Sequence, residues 1–249
     1  MQTAFPQTMP PTTPATSLPP AAARPLQQEH LKALVAQAAL QYVVPGGIVG
    51  VGTGSTVNHF IDALVTLRER IAGAVSSSVA STARLQALGI PVMELGDVDR
   101  IPVYIDGADE IDPQGCMVKG GGAALTREKV VAAQSDRFVC IADASKLVPV
   151  LGRFPLPVEV IPMATRRVIA QFAALGGTAR LRLKDGVPLV TDNGQHILDV
   201  TGLQITNPLA FEAQTSQWPG VLTVGVFAFQ RAQVCLLGTP EGVKTLTFP

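Results

Sequence analysis

Residues 105–112 read Ile-Asp-Gly-Ala-Asp-Glu-Ile-Asp, and residues 119–129 read Lys-Gly-Gly-Gly-Ala-Ala-Leu-Thr-Arg-Glu-Lys. The apolar run Val103-Tyr-Ile105 leads into the first block, and a helical pattern opens inside the second, from about Ala123. Such a strand, glycine turn and helix in sequence form the repeating unit of a sheet covered by helices. The connection also gathers carboxylates, a lysine and a glycine-rich turn. That set suits proton abstraction next to a carbonyl, where a base takes the proton and a cation holds the resulting enediolate.

The same alternation continues on both sides. Leu31, Leu34, Val35, Ala38, Ala39 and Tyr42 share one helical face, which Pro45-Gly46-Gly47 ends. Ile48-Val-Gly-Val51 reads as a buried strand, followed by Gly52-Thr-Gly-Ser-Thr56 and a helix through Phe60, Ile61 and Leu64. Strands are expected at Ala74-Val-Ser-Ser77, Pro91-Val-Met93 and Phe138-Val-Cys-Ile-Ala142, with a helix over residues 80–88. This order predicts an α/β fold, a parallel sheet covered on both faces. Ligands of such sheets sit beyond the carboxyl ends of the strands. Residues 52–56, 106–109 and 143–146 each follow an apolar strand there.

The character changes near Leu151. Pro155, Pro157 and Pro162 punctuate a strand, and a helix over residues 164–175 closes at Gly176-Gly177. Leu189-Val-Thr191 and His196-Ile-Leu-Asp199 flank Asp192-Asn193-Gly194, a hairpin-turn signal. Asn207-Pro208 provides a helix cap with proline at the first position. These features predict a smaller α+β domain. The final runs, residues 224–227 and 234–237, are expected to return to the first sheet. The organisation expected is a tail over 1–25, an α/β catalytic domain over 26–150 with 230–249, and the small domain over 151–229.

Apolar residues make up 47% of the 249 and charged residues 15%, enough to build a sizeable core. Nineteen basic and nineteen acidic residues cancel, which removes a general electrostatic argument for nucleic acid or anionic membrane. No apolar run reaches membrane-spanning length. Cys116, Cys140 and Cys235 form no CxxC or zinc spacing, so a reducing, cytoplasmic setting fits, and the apolar runs around Cys140 and Cys235 predict buried free thiols there. Residues 1–25 are rich in proline, threonine and alanine with a single charge at Arg24, which predicts a disordered tail. They lack the charged start and apolar middle of a secretory signal.

Each motif has an ordinary alternative. In Gly50-Val-Gly-Thr-Gly-Ser-Thr56 the third glycine is misplaced for a dinucleotide fingerprint, and no lysine precedes Ser-Thr as a Walker loop requires. What remains is a glycine turn whose amides and hydroxyls suit one phosphate, against a plain turn capped by Ser or Thr. Asp106 and Asp109 straddle Gly107-Ala108. They could be solvated turn acids, but Glu110 and Asp112 add negative charge that calls for a cation, with Lys119 the natural partner. Gly120, Gly121 and Gly122 allow backbone amides to approach a ligand. Glu128 could be a solvated helix acid, yet its place just beyond the lysine-glycine turn favours a side chain reaching back to the strand ends. His30, His59 and His196 give no metal or base pattern.

With these blocks assembled, the chain resembles ribose-5-phosphate isomerases of the A type. The matching segments are Gly52-Thr-Gly-Ser-Thr56, Ser76-Ser-Ser78 with Ser81-Thr82, Asp106-Gly-Ala-Asp-Glu110, the whole of 119–129, Ile141-Ala-Asp-Ala-Ser-Lys146, Phe154-Pro-Leu-Pro-Val-Glu-Val-Ile-Pro162, Thr191-Asp-Asn-Gly194 and Gly238-Thr-Pro240. The resemblance implies a Rossmann-like α/β domain with a smaller α+β domain, usually in a homodimer or larger assembly. It implies interconversion of ribose 5-phosphate and ribulose 5-phosphate with no metal or organic cofactor. By the same resemblance Glu128 would carry the proton between C1 and C2, Asp106 and Asp109 would handle hydroxyl protons and ring opening, and Lys119 would stabilise the enediolate. Lys32, Thr53, Gly54, Ser55, Thr56, Gly107, Ala108, Gly120, Gly121, Gly122 and Lys146 would line the sugar-phosphate site. Val79, where some relatives carry Asp, and the residues around 183–188 depart from the shared pattern. An amino-sugar-phosphate deaminase should need a histidine in these loops, which is absent. A sugar-phosphate sensor should carry a DNA-binding module, for which only the tail is spare.

Overall fold

The structure, a computed structural model, describes residues 20–248, with side chains from residue 28 onward. Residues 1–19 of the proline-rich segment lie outside the described residues. The first helix, α1 (Pro20–Ala39), begins before the domain boundary expected at residue 26. Alanines 21–23 are strong helix formers and account for that earlier start.

Six strands form the main sheet: β1 (Ile48–Val51), β2 (Gly73–Ser76), β3 (Val103–Asp106), β6 (Phe138–Asp143), β14 (Val234–Thr239) and β15 (Gly242–Thr247). Their order is β15-β14-β6-β3-β1-β2. All neighbours are parallel except the edge pair β14–β15. The chain leaves β1 toward β2 and returns on its other side at β3, so the strand order reverses between β1 and β3. That is where a crevice opens in a sheet of this kind.

Side-chain alternation assigns the faces. Val49, Val51, Ile105, Val139 and Ile141 pack under α1 and α2 (Ser55–Leu64), whose Phe60, Ile61 and Leu64 are fully buried. Each such side chain contributes about 2 kcal/mol. Tyr104, Phe138, Cys140 and Cys235 point to the opposite face, against Leu125 and Val131 of α4 (Leu125–Gln134). Asp106, two residues beyond Tyr104, shares its face and thus points toward α4. All three cysteines are buried and free. α3 (Val79–Ala87) follows β2 and is capped by the Ser78 hydroxyl.

The second sheet has order β12-β7-β11-β8 and is antiparallel throughout, from β7 (Leu156–Val160), β8 (Thr178–Leu181), β11 (His196–Thr201) and β12 (Val221–Val224). α5 (Thr165–Ala174) buries Val168 and Phe172 on it, and α6 (Pro208–Thr215) starts where the Asn207 side chain accepts from the Ala210 amide. A small ladder, β4 (Glu110–Ile111), β5 (Met117–Val118) and β13 (Val226–Phe227), joins the two sheets. A two-stranded ribbon, β9 (Leu183–Lys184) with β10 (Val187–Pro188), projects beside them.

Three local expectations fail. Pro91-Val-Met93 forms only a single bridge, Ala74↔Val92. The turn at 192–194 forms, but its hairpin stops at the Val190↔His196 bridge. β11 pairs instead with β7 and β8, which bury Ile197 and Leu198, while Val190 has no core to face and stays exposed. The run 224–227 does not rejoin the main sheet, because it breaks at Gly225. There a Cβ would lie 2.5 Å from the Lys119 carbonyl and 2.6 Å from that of Pro157. Only the strand from Val234 returns.

Candidate active site

Asp106 ends β3 with no exposed surface, so its charge needs partners. Oδ1 accepts from the amides of Gly107 (2.7 Å) and Thr53 (3.1 Å). Oδ2 accepts from the Tyr104 hydroxyl (2.5 Å) and from Lys119 Nζ (2.7 Å). Burial and the neighbouring Asp106 carboxylate push the Tyr104 phenol well up, which keeps it a proton donor. Gly52 follows β1 beside this carboxyl, and a Cβ there would fall 1.9 Å from it. That glycine is a steric requirement of Asp106.

Lys119 follows β5 and is also buried. Its Nζ donates to the Gly107 carbonyl (2.6 Å) as well as to Asp106, and it lies over the rings of Phe227 (5.5 Å) and Phe138 (5.9 Å). Burial works against the ammonium, but the carboxylates of Asp106 and Glu128 outweigh it and raise its pKa, so it stays charged.

Glu128 stands in the first turns of α4, on the face turned to the sheet, and is 2% exposed. Its Oε2 is 3.3 Å from Lys119 Nζ, yet it is buried without a hydrogen-bond partner among the described residues. The ammonium is close enough to attract it but spends its aligned protons on Asp106 and Gly107. Burial pushes the Glu128 carboxyl up, to about 8, with Asp106 adding to the rise and Lys119 opposing it. An acceptor left open beside a fixed cation is ready for a proton that a ligand brings.

The turn before α4 departs from the expected use of its glycines. Left-handed backbone falls at Gly120 (φ 107°) and at Ala123 (φ 61°), a conformation costly for alanine. Gly121 serves instead for close approach. Its amide donates to Asp109 Oδ2 (2.7 Å), and a Cβ would sit 2.6 Å from Asp109 Oδ1.

These groups line one cavity of about 160 Å³. Every residue that the sequence reading placed in the site borders it except Asp106, which stands behind Lys119. At its far end, α2 begins after Gly54 (φ 111°) with no side-chain cap, so the ordinary alternative of a Ser- or Thr-capped turn does not occur. The first amides of α2 lack intrahelical partners and face the cavity with Ser55 and Thr56. Lys32, paired with Glu29 at 2.6 Å, and Lys146 border the same end. Gln28 and Asp143 also line the cavity and were missed as site residues. Asp143 ends β6 within the segment 143–146 that the strand-end rule marked, although only Lys146 of it was given a site role, whereas Gln28 gave no signal. Burial raises Asp143, but hydrogen bonds from Ser145 and Gln28 hold it below the usual carboxylate range.

Lys129 is a structural counterpart to Lys119. It pairs with Glu212 and donates to the carbonyls of Val224 (2.9 Å) and Val226 (2.7 Å), away from the cavity. Among the described residues, no group of three His, Cys, Asp or Glu side chains is disposed to hold a metal ion. No described helix is long and apolar enough to cross a membrane.

Compared with known proteins, residues 73–242 match the family described as ribose 5-phosphate isomerase A (phosphoriboisomerase A). Ribose-5-phosphate isomerase A of Polaromonas sp. is 73% identical over 227 residues, covering 90% of this chain and 95% of that one. The crystal structure of ribose 5-phosphate isomerase A from Neisseria gonorrhoeae matches with a TM-score of 0.85 at 44% identity, over 88% of this chain and 97% of that one. A D-ribose-5-phosphate isomerase solved in complex with phospho-erythronic acid matches with a TM-score of 0.85 at 36% identity, over 88% and 98%. The chain belongs to the ribose 5-phosphate isomerase A family and is an aldose-ketose isomerase that interconverts ribose 5-phosphate and ribulose 5-phosphate.

Proposed function

We propose that Glu128 is the base of this isomerisation and Lys119 its electrophile. The observation that carries the reading is the open Glu128 Oε2, 3.3 Å from a fixed ammonium on the wall of the cavity. With the open-chain sugar in the cavity that both groups border, Glu128 removes the proton from C2 of the aldose. Lys119 holds the enediolate oxygen, and Glu128 returns the proton to C1. A positioned base and a preorganised cation each lower the barrier by a few kcal/mol, on the order of a hundredfold or more in rate.

Asp106 and Asp109 divide the work expected of them jointly. Both Asp106 oxygens are taken by four donors behind Lys119, so Asp106 aims the ammonium. Asp109 borders the cavity and is the carboxylate placed to exchange hydroxyl protons and assist ring opening. The phosphate lies against the first amides of α2, with Ser55, Thr56, Lys32 and Lys146 around it, while Gly107, Ala108 and the 120–122 turn line the sugar. No cofactor takes part in this reading. We also read the chain as a cytoplasmic homodimer, with residues 26–150 and 230–249 as the catalytic domain and 151–229 as the small one. Light scattering of the purified protein tests the dimer.

The deciding experiment is Glu128→Gln, assayed with ribose 5-phosphate in the presence of a chelator. The variant should lose nearly all turnover yet still bind phospho-erythronic acid, while the parent protein keeps its rate. Near-normal turnover by the variant would refute the base.

A further inference from the structure

Glu159 lies on β7 in the small sheet, fully buried, and none of the ion pairs among the described residues involves it. Its charge is met by three neutral donors, two in the 191–193 turn and one on α4. Oε1 accepts from the Thr191 hydroxyl (2.5 Å) and the Asn193 side-chain amide (3.1 Å). Oε2 accepts from the Thr126 hydroxyl. Having given its proton to Glu159, Thr126 accepts in turn from the Thr223 hydroxyl, 2.7 Å away. A buried carboxylate with no countercharge is costly, and an apolar side chain of similar size would fill the space more cheaply. What the carboxylate does that an apolar group cannot is draw donors from α4, from the 191–193 turn and, through Thr126, from β12.

Thr126 is two residues before Glu128 on α4. Successive residues are about 100° apart on a helix, so the two side chains leave on nearly opposite sides. A second tie reaches the same helix. Arg127 donates to the Asn193 side-chain oxygen (2.8 Å) and to the Asp192 carbonyl (2.8 Å), and Glu159 itself holds Asn193. The turn also reaches the main domain, since Asp192 accepts from the Val79 amide at the start of α3 (2.9 Å). With side chains the helix is about 5–6 Å in radius, so a rotation of about 10° would carry the Glu128 carboxyl about 1 Å from its place. A displacement of that size costs about a hundredfold in rate.

We propose that Glu159 is a positioning residue for the isomerisation: through Thr126 and Asn193 it fixes the rotation of α4 and thereby the separation of Glu128 from Lys119. The proposal rests on Glu128 as the base. It gives the small domain a part in the chemistry, although none of that domain's side chains borders the cavity.

The test uses the full-length enzyme and four substitutions. Thr126→Val keeps the shape and cuts the direct tie; Thr126→Ser restores the hydroxyl. Glu159→Gln sets an amide N–H against the donors, and Thr191→Val loosens the 191–193 turn that carries Asn193. Thr126→Val and Glu159→Gln should lower kcat by about ten- to a hundredfold, with KM changed much less, and should move the acid limb of the kcat/KM profile. Thr126→Ser should recover most of kcat, and Thr191→Val, which leaves the direct Thr126 tie in place, should lower kcat less than Thr126→Val does. If Glu159→Gln does not fold, the Thr126 pair decides alone. A Thr126→Val enzyme with a lower melting temperature but the parent's kcat, KM and pH profile overturns the proposal, because a purely structural tie behaves that way. Glu128→Gln is assayed beside them: an inactive Glu128→Gln with an unimpaired Thr126→Val sinks only the positioning role, whereas an active Glu128→Gln sinks the base itself.

Discussion

Replacing Glu128 with Gln should change how stability depends on pH, and the sign follows from the burial of its carboxyl. In the unfolded chain this group titrates near its ordinary value of 4.5, and in the folded protein burial raises it to about 8. Between those limits the native state keeps a proton that the unfolded state has released. The native state binds more protons, so stability falls as pH rises through the window; the contribution is whole below pH 4.5 and lost above 8. Each pH unit of the window is worth about 1.4 kcal/mol, which sets an upper limit of about 5 kcal/mol. Coupling to Lys119 and relaxation around the ionised group reduce this to on the order of 2–4 kcal/mol. The glutamine has no proton to lose, so the variant should gain on the parent by that amount between pH 5 and pH 8. Urea unfolding of both proteins at the two pH values measures it, since every other titrating group is shared and cancels. A stability difference that stays constant within about 0.5 kcal/mol would show that Glu128 ionises freely in the fold, and the reasoning about its environment would be wrong.

Other substitutions probe the remaining parts of the site. Lys119→Met leaves the buried Asp106 carboxylate without its countercharge and the enediolate without its cation, and should lower kcat by about a hundred- to a thousandfold with a smaller change in KM; a change confined to KM would make Lys119 a binding group only. The same variant should lose about 3–5 kcal/mol at neutral pH in a denaturant titration. Gly52→Ala forces a methyl group onto the Asp106 carboxyl, so it should cost about 1–3 kcal/mol and lower kcat together; full activity at parental stability would mean that the crowding around Asp106 is illusory. Lys32→Ala and Lys146→Ala should each raise KM for ribose 5-phosphate about tenfold or more, with kcat nearly kept, and steady-state kinetics at two salt concentrations checks this.

Where the sequence could be read, local chemistry and tertiary packing agree. β1, β3 and β6 are short apolar runs with no competing pattern, and their ends carry the residues that border the cavity. The glycine turns and the DGADE and KGGGAALTREK blocks were legible because each needs a special backbone or a special partner. Illegible were features settled by distant contacts. Nothing local marks Gly225 as the point where one strand run divides between two sheets; the crowding by Lys119 and Pro157 decides it. Nor does a glutamate inside Leu-Pro-Val-Glu-Val announce that it faces inward, because its donors come from residues 33 positions before it and 32 and 34 after it. The hairpin expected at 189–199 lost to pairings that bury more apolar surface, a choice made by the whole sheet.

The arrangement of the two acids around one ammonium explains why a site this buried can form and discharge an enediolate. Asp106 and Lys119 neutralise each other, and Asp106 cannot wander because the Tyr104 hydroxyl and two amides hold it. When ionised, Glu128 carries a negative charge that Lys119, already paired with Asp106, does not fully match, and burying that charge is what raises its pKa. When it takes the substrate's proton, that charge does not appear anew in the cavity; it moves from the carboxylate to the sugar oxygen beside the same ammonium. The buried charge is equal before and after the step, so the desolvation cost is met when Glu128 ionises and not again as the anion passes to the sugar. The cation must stay where it is while the anion changes hands. That makes the rigid hold on Lys119, more than the basicity of Glu128, the feature on which the rate depends. Asp106→Asn tests this: it loosens the ammonium, and by removing a neighbouring carboxylate it favours the ionised form of the base, so a lower kcat would come from the cation; it should impair kcat about as severely as Lys119→Met. Much milder kinetics in Asp106→Asn would mean that Lys119 needs no holding.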